Sequence, residues 1–200
     1  MTNSLARADI VAWRKAERLR LIEQRLAIDA ATRRRYAREI MASLTRFIGD
    51  LSGRTVSGYW PFRGEPDLRP WMEELAERGG VCVLPVVIEK HAPLIFRTWR
   101  KGDKLIAGIW DIPVPADGAE IIPDIVIAPV VGFDAACYRL GNGGGFFDRT
   151  LATMSPRPTI IGVGYAEAAI STIHPLPHDI PMQVIVTEQG IITPEPPPAD

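Results

Sequence analysis

The sequence predicts an α/β domain with a mostly parallel sheet covered by helices on both faces and two helices ahead of the first strand. Three observations predict it. Apolar runs of strand length alternate with segments of helical period. Two of those runs, residues 81–88 and 124–131, are apolar almost throughout, which suits strands buried on both faces. Glycine and proline clusters, Gly79-Gly80 and the proline-rich stretch 112–123, separate the segments.

The elements follow in order. Residues 5–27 read as a helix with apolar positions at Ile10, Trp13, Leu19, Ile22 and Leu26. Asp29 can cap a second helix, whose 3.6-residue period places Ala37, Ile40, Met41, Leu44, Phe47, Ile48 and Leu51 on one face. These two are expected to lie antiparallel as an N-terminal helical hairpin over residues 1–50. Residues 55–62 read as the first strand. Asp67 can cap a helix through Arg78, which Gly79-Gly80 stops. Strands are expected at 81–88 and 94–100, with a Lys101-Gly102-Asp103 turn behind them. Residues 112–123 read as a loop and 124–131 as a strand. A glycine-rich loop and a helix to about Met154 follow, and strands at 159–165 and 183–192 close the set. One domain is expected over 1–193, with 194–200 a disordered tail.

Composition narrows the function classes. The chain has 200 residues and a net charge of −1, so no bulk field favours nucleic acid or a membrane. No apolar run approaches the roughly 20 residues of a membrane span, and residues 1–14 lack a signal-peptide core. Two cysteines support no disulfide framework, so the cytoplasm is the expected compartment. The three histidines lack zinc-site spacing. Basic residues crowd the first fifty positions, among them Arg14, Arg18, Arg25 and Arg33 to Arg35. An anionic partner on that side is one reading, and a solvated helix face is preferred for Arg33 to Arg35. No RNA-binding motif accompanies them.

The most informative stretch is 139–149, Arg-Leu-Gly-Asn-Gly-Gly-Gly-Phe-Phe-Asp-Arg. Gly141, Gly143, Gly144 and Gly145 lie ahead of a helix-forming segment with Asp148 in its expected first turn. Glycine permits positive φ and close approach of a ligand to the backbone. A helix start adds outward N–H groups and positive potential, so the stretch reads as a phosphate cradle. Asp148 could hold the Mg²⁺ that travels with a nucleoside triphosphate. Neither Walker A nor the dinucleotide fingerprint fits: no lysine follows the glycines, and position 146 is Phe146. In such sheets ligands bind beyond the carboxyl ends of strands. Three stretches fall there: 60–65, 133–147 and Tyr165 onward.

Further segments sit in a fixed order around this loop. They are Tyr-Trp-Pro-Phe-Arg-Gly-Glu-Pro-Asp at 59–67, Trp-Asp-Ile-Pro at 110–113, Gly-Phe-Asp at 132–134 and Leu-Pro-His-Asp-Ile-Pro at 176–181. With the glycine loop, they resemble the 5-formyltetrahydrofolate cyclo-ligase family over nearly the whole chain. The resemblance implies a three-layer α/β/α sandwich of the NagB/RpiA/CoA-transferase-like kind. It also implies ATP- and Mg²⁺-dependent closure of 5-formyltetrahydrofolate to 5,10-methenyltetrahydrofolate, with ADP and phosphate released. The implied partners are ATP and a reduced folate, acting on a monomer.

The resemblance also implies roles. Arg14 and Arg18 match the family's N-terminal ATP-contacting basic pair. Arg139, Leu140, Gly141, Asn142, Gly143, Gly144, Gly145, Phe146 and Phe147 match its phosphate-binding segment. Asp148 and Asp179 match its magnesium ligands, with Arg139 and Asp148 the expected catalytic pair. Glu65 matches its folate-contacting glutamate, and Tyr59, Trp60 and Trp110 match the folate pocket. Three features depart from the pattern: Phe146-Phe147 replace a tyrosine pair, and Cys137 and Val130 stand where glycine is usual. The alternative reading is a non-catalytic folate- or nucleotide-binding relative. A further rival is a sugar-phosphate enzyme of the same broad fold.

Overall fold

The protein is described by a computed structural model covering residues 6–194. Helix α1 (Arg7–Ala27) leads into α2 (Ala30–Ile48), and Asp29 caps α2 as expected, its side chain accepting from the N–H groups of Ala31 and Thr32. Then come β1 (Thr55–Ser57), α3 (Arg69–Glu77), β2 (Val81–Val86), β3 (Ile95–Thr98), β4 (Leu105–Ala107), β5 (Pro113–Pro115) and β6 (Ile125–Pro129). The chain continues through β7 (Gly132–Phe133), β8 (Arg139–Leu140), α4 (Phe146–Thr153), β9 (Thr159–Val163), β10 (Val184–Thr187) and β11 (Gly190–Ile192).

Seven strands form one sheet in the order β11-β10-β9-β6-β1-β2-β3. The four central pairings are parallel, and β3 and β11 add antiparallel edges. Side chains of β6 alternate across the sheet, as the pleat requires. Ile125 and Ile127 pack with α2 and α3 through Ile40, Leu44, Trp71 and Leu75. Val126 and Ala128 pack on the other face with Leu151 of α4, Phe133 and Cys137. That alternation makes the three layers. Helix α1 has its own seat, where Leu21 meets Val131, Leu140 and Ile173.

The largest departure from expectation lies on α1. Its apolar positions do not form the buried face: Leu19 and Leu26 are 57% and 51% exposed. The buried residues are Arg14, Leu21 and Arg25. Guanidinium groups can be buried where carbonyls and carboxylates take up their N–H groups, and these two arginines have such partners.

Other corrections are local. The first strand ends at Ser57 rather than 62, and the chain then leaves the sheet, with Tyr59, Trp60, Phe62 and Glu65 lining a cleft. Asp67 sits one residue ahead of the α3 cap position, Leu68, and accepts from the Arg69 N–H at 3.1 Å. Residues 112–123 contain β5, which pairs with β4 in a small hairpin. A second hairpin, β7–β8, stands between β6 and the glycine loop. Residues 183–192 turn at Glu188-Gln189 into two antiparallel strands. Of the expected tail, residues 195–200 lie outside the described residues.

Candidate functional site

A cleft of about 230 Å³ opens where β1, β2 and β6 end, beyond their carboxyl ends. Helix α1 supplies one wall. Arg14, Arg18, Leu21 and Arg25 recur at helical spacing, so one stripe carries three guanidinium groups inward. Arg14 donates from Nε to the Ile173 carbonyl at 2.9 Å and from Nη2 to the His174 carbonyl at 2.8 Å. Its Nη2 also pairs with Asp179 Oδ2 at 2.5 Å. Arg18 donates from Nε to the Gly141 carbonyl at 2.8 Å. Arg25 donates to the Arg63 carbonyl at 2.9 Å, and its Nη2 lies 3.9 Å from Glu65 Oε1.

The glycine loop forms the floor. Gly143 and Gly145 adopt φ of 99° and 64°, conformations that side chains resist, and Gly145 caps α4. Two arginines hold the loop's carbonyls. Arg18 binds that of Gly141, and Arg149 Nη2 binds that of Gly144 at 2.6 Å. Meanwhile the backbone N–H groups from Asn142 to Phe147 donate to no group among the described residues. Occupied carbonyls and free N–H groups at a helix start make an anion-receptive surface.

Two carboxylates border this loop. Asp148 Oδ2 accepts from Arg139 Nη2 at 2.7 Å, and its Oδ1 accepts from the Ile180 N–H at 3.2 Å. Asp179 Oδ2 accepts from the Leu176 N–H at 2.6 Å besides its Arg14 pair. Burial lowers the Arg139 guanidinium below its ordinary pKa, against the opposing pull of Asp148 and Asp179. Both carboxylates keep lone pairs free of these bonds, and such hard oxygens suit Mg²⁺. Among the described residues no cluster of three or more His, Cys, Asp or Glu could hold a metal unaided. The remaining ligands of a Mg²⁺ ion would therefore come from phosphate and water, the usual arrangement at nucleotide sites.

The opposite side of the cleft is aromatic. Trp110 stacks on Phe62 with ring centroids 6.4 Å apart and planes at 13°, and meets Phe146 edge-on at 6.3 Å. Trp110 sits between β4 and β5, half exposed, with φ of 59°; Asp111 follows at 58°. Two consecutive non-glycine residues in the left-handed region carry backbone strain, a recurrent mark of ligand sites. Tyr59 and Trp60 line the same space. Glu65 is buried among them. Its Oε2 accepts from the Phe62 N–H at 2.9 Å and its Oε1 from Asn142 Nδ2 at 3.1 Å. Burial raises the Glu65 pKa above its ordinary value, although Arg25, Asn142 and the Phe62 N–H pull the other way.

Nearly all sequence-predicted site residues meet in this cleft: Arg14, Arg18, Tyr59, Trp60, Glu65, Trp110, Arg139, Asp148, Asp179 and the loop from Gly141 to Phe147. Leu140 does not. Strand alternation turns Arg139 to the cleft and Leu140 into the Leu21–Ile173 cluster. From the stretch beginning at Tyr165, only His178 and Asp179 reach the cleft. Sequence reasoning missed Arg25, Phe62 and Arg149. The Arg14–Arg18–Leu21–Arg25 spacing held the signal for the first, while Phe62 lay within a motif already quoted. Cys137 has φ of 60°, in the left-handed region that favours glycine.

These parts define an α/β protein in which one cleft joins an anion-receptive loop to an aromatic pocket with a buried acid. Residues 10–188 match the model of the 5-formyltetrahydrofolate cyclo-ligase family, and the chain belongs to that family. A 5-formyltetrahydrofolate cyclo-ligase of Mycolicibacterium smegmatis is 31% identical over 184 residues, covering 88% of this chain and 94% of its own. One from Escherichia coli is 34% identical over 146 residues, 68% of this chain and 79% of its own. Among solved structures, the 5,10-methenyltetrahydrofolate synthetase of Aquifex aeolicus superposes with a TM-score of 0.79 at 25% identity, covering 94% of this chain and 95% of its own. The Mycoplasma pneumoniae 5,10-methenyltetrahydrofolate synthetase gives 0.73 at 22% identity, covering 88% and 98%, a likeness of fold.

Proposed function

We propose that the protein closes 5-formyltetrahydrofolate to 5,10-methenyltetrahydrofolate at the expense of ATP, with Mg²⁺ as cofactor. The observation that carries this reading is the joining of two chemistries in one cleft. Free N–H groups of the glycine loop face the same space as Glu65 and the Trp110–Phe62 pair.

The reaction divides between these two sides. The formyl oxygen attacks the γ-phosphorus of ATP, and ADP leaves. N10 then attacks the activated carbon, a C–N bond forms, N10 loses its proton, and phosphate departs with the former formyl oxygen. Such phosphoryl transfer needs positioning and neutralised charge rather than a protein nucleophile. The loop's N–H groups receive phosphate oxygens, and Arg14, Arg18 and Arg139 offset their charge. Asp148 and Asp179 would hold Mg²⁺, which when bound neutralises phosphate charge. Glu65 accepts N–H groups of the pterin ring, and Trp60 and Trp110 flank its face.

Methenyltetrahydrofolate formation from 5-formyltetrahydrofolate, followed spectrophotometrically with and without ATP and Mg²⁺, tests the proposal. Product only with both present is expected. Binding of both ligands without turnover would favour the non-catalytic reading.

A further inference from the structure

Asn142 lies within the glycine loop, yet its side chain turns to the other side of the cleft. Its Nδ2 donates to Glu65 Oε1 at 3.1 Å. Its Oδ1 is buried and has no hydrogen-bond partner among the described residues. An ionised Glu65 only accepts, so towards that form the amide presents its nitrogen. The one hydrogen bond of this side chain therefore goes to Glu65 and fixes that carboxylate against the glycine loop.

We propose that Asn142 is a positioning residue: its amide nitrogen holds Glu65 in place as the acceptor for an N–H of the bound heterocycle. The inference rests on the folate reading of Glu65 given above.

The surroundings of Glu65 support a pH-dependent consequence. Arg25 of α1 faces it at 3.9 Å, and Arg63, in its own loop, adds positive charge. Tyr59 lies close enough to interact with its charge. Against burial, which raises the Glu65 pKa, the Asn142 hydrogen bond pulls it down. Removing that bond raises the pKa further, so the ionised form is reached only at higher pH. The acid limb of folate binding therefore moves upward.

The experiment compares the intact protein with Asn142→Ala, Asn142→Ser and Asn142→Asp by steady-state kinetics from acid to neutral pH, with KM for 5-formyltetrahydrofolate and for ATP measured separately. Asn142→Ala is expected to raise the folate KM about tenfold, with the ATP KM changed less than about threefold. Its acid limb should lie above that of the parent. Asn142→Asp, which sets a second carboxylate beside Glu65, should move the limb further, and Asn142→Ser should fall between parent and alanine variant. Equal effects on both KM values, or an unmoved acid limb in folded variants, would overturn the inference. Thermal melts and ATP titration identify folded variants, and the serine variant serves if another does not fold. Failure of the parent to turn over 5-formyltetrahydrofolate would instead sink the function reading itself.

Discussion

Arg14 and Asp179 meet across 165 residues of chain, Nη2 to Oδ2 at 2.5 Å, with both side chains at most 10% exposed. This pair joins α1 to the loop that carries the second of the two cleft carboxylates. Removing one member leaves a charge buried without its partner, a loss of about 3–5 kcal/mol. Arg14→Leu should lower the melting temperature and also raise the ATP KM. A variant that melts like the parent would mean the pair is solvated in solution.

Asp148 is held by Arg139 on one oxygen and by the Ile180 N–H on the other. Asp148→Asn keeps a comparable shape and loses the charge. Turnover should fall sharply, or require much more Mg²⁺, in a titration of rate against metal concentration. An unchanged Mg²⁺ dependence would leave Asp148 as a partner for Arg139 alone.

The two central glycines should respond differently. A methyl group at Gly143 meets nothing closer than Arg18 at 3.8 Å, but the φ of 99° is strained for alanine. Gly143→Ala should therefore cost about 1–3 kcal/mol of loop conformation and raise the ATP KM selectively. At Gly144 a Cβ would lie 2.7 Å from the Phe146 ring and 3.3 Å from Trp110. Gly144→Val therefore collides with the aromatic wall itself and should raise both KM values. Separate titrations of the two substrates check the contrast.

Glu65 should anchor the folate head and leave ATP alone. Loss of a charge-assisted contact typically costs about 1.5–3 kcal/mol. Glu65→Gln should weaken folate binding roughly 10- to 100-fold, with ATP affinity little changed. In the parent, the raised Glu65 pKa places protonation above the ordinary glutamate range of about 4.3. Folate affinity should thus fall as pH drops through that raised value, and the acid limb should vanish in Glu65→Gln. Calorimetric titrations from neutral to acid pH read both effects.

What was legible in the sequence was whatever obeys hydropathy or backbone chemistry. Most of the face of α2 appeared in its 3.6-residue period: Ala37, Ile40 and Leu44 are buried, whereas Phe47 is exposed and Leu51 lies past the helix end. The runs that became β2 and β6 were continuous apolar stretches, as strands covered on both sides are. The glycine loop was visible because positive φ favours glycine.

The missed features follow other rules. A hydropathy pattern counts arginine as surface, so it cannot see that Arg14 and Arg25 face inward to carbonyls and carboxylates. Strand β1 stops at Ser57 because the following chain serves the cleft, a demand set by tertiary structure. Hairpins of two or three residues per strand, with prolines at 113 and 115, carry too little periodicity to separate from loop. A motif taken as a contiguous run included Leu140, whereas the pleat sends alternate side chains to opposite sides.

The exposed indole of Trp110 gives the cleft an optical reporter. It is half exposed between Phe62 and Phe146, whereas Trp71 and Trp99 are buried. A heterocycle entering the aromatic pocket strips water from that ring and from the partly buried Trp60 in the same cleft, changing emission wavelength and intensity while Trp71 and Trp99 stay dark to the event. Stopped-flow fluorescence can then time the arrival of the heterocycle without any label, and Trp110→Phe separates the Trp110 signal from that of Trp60.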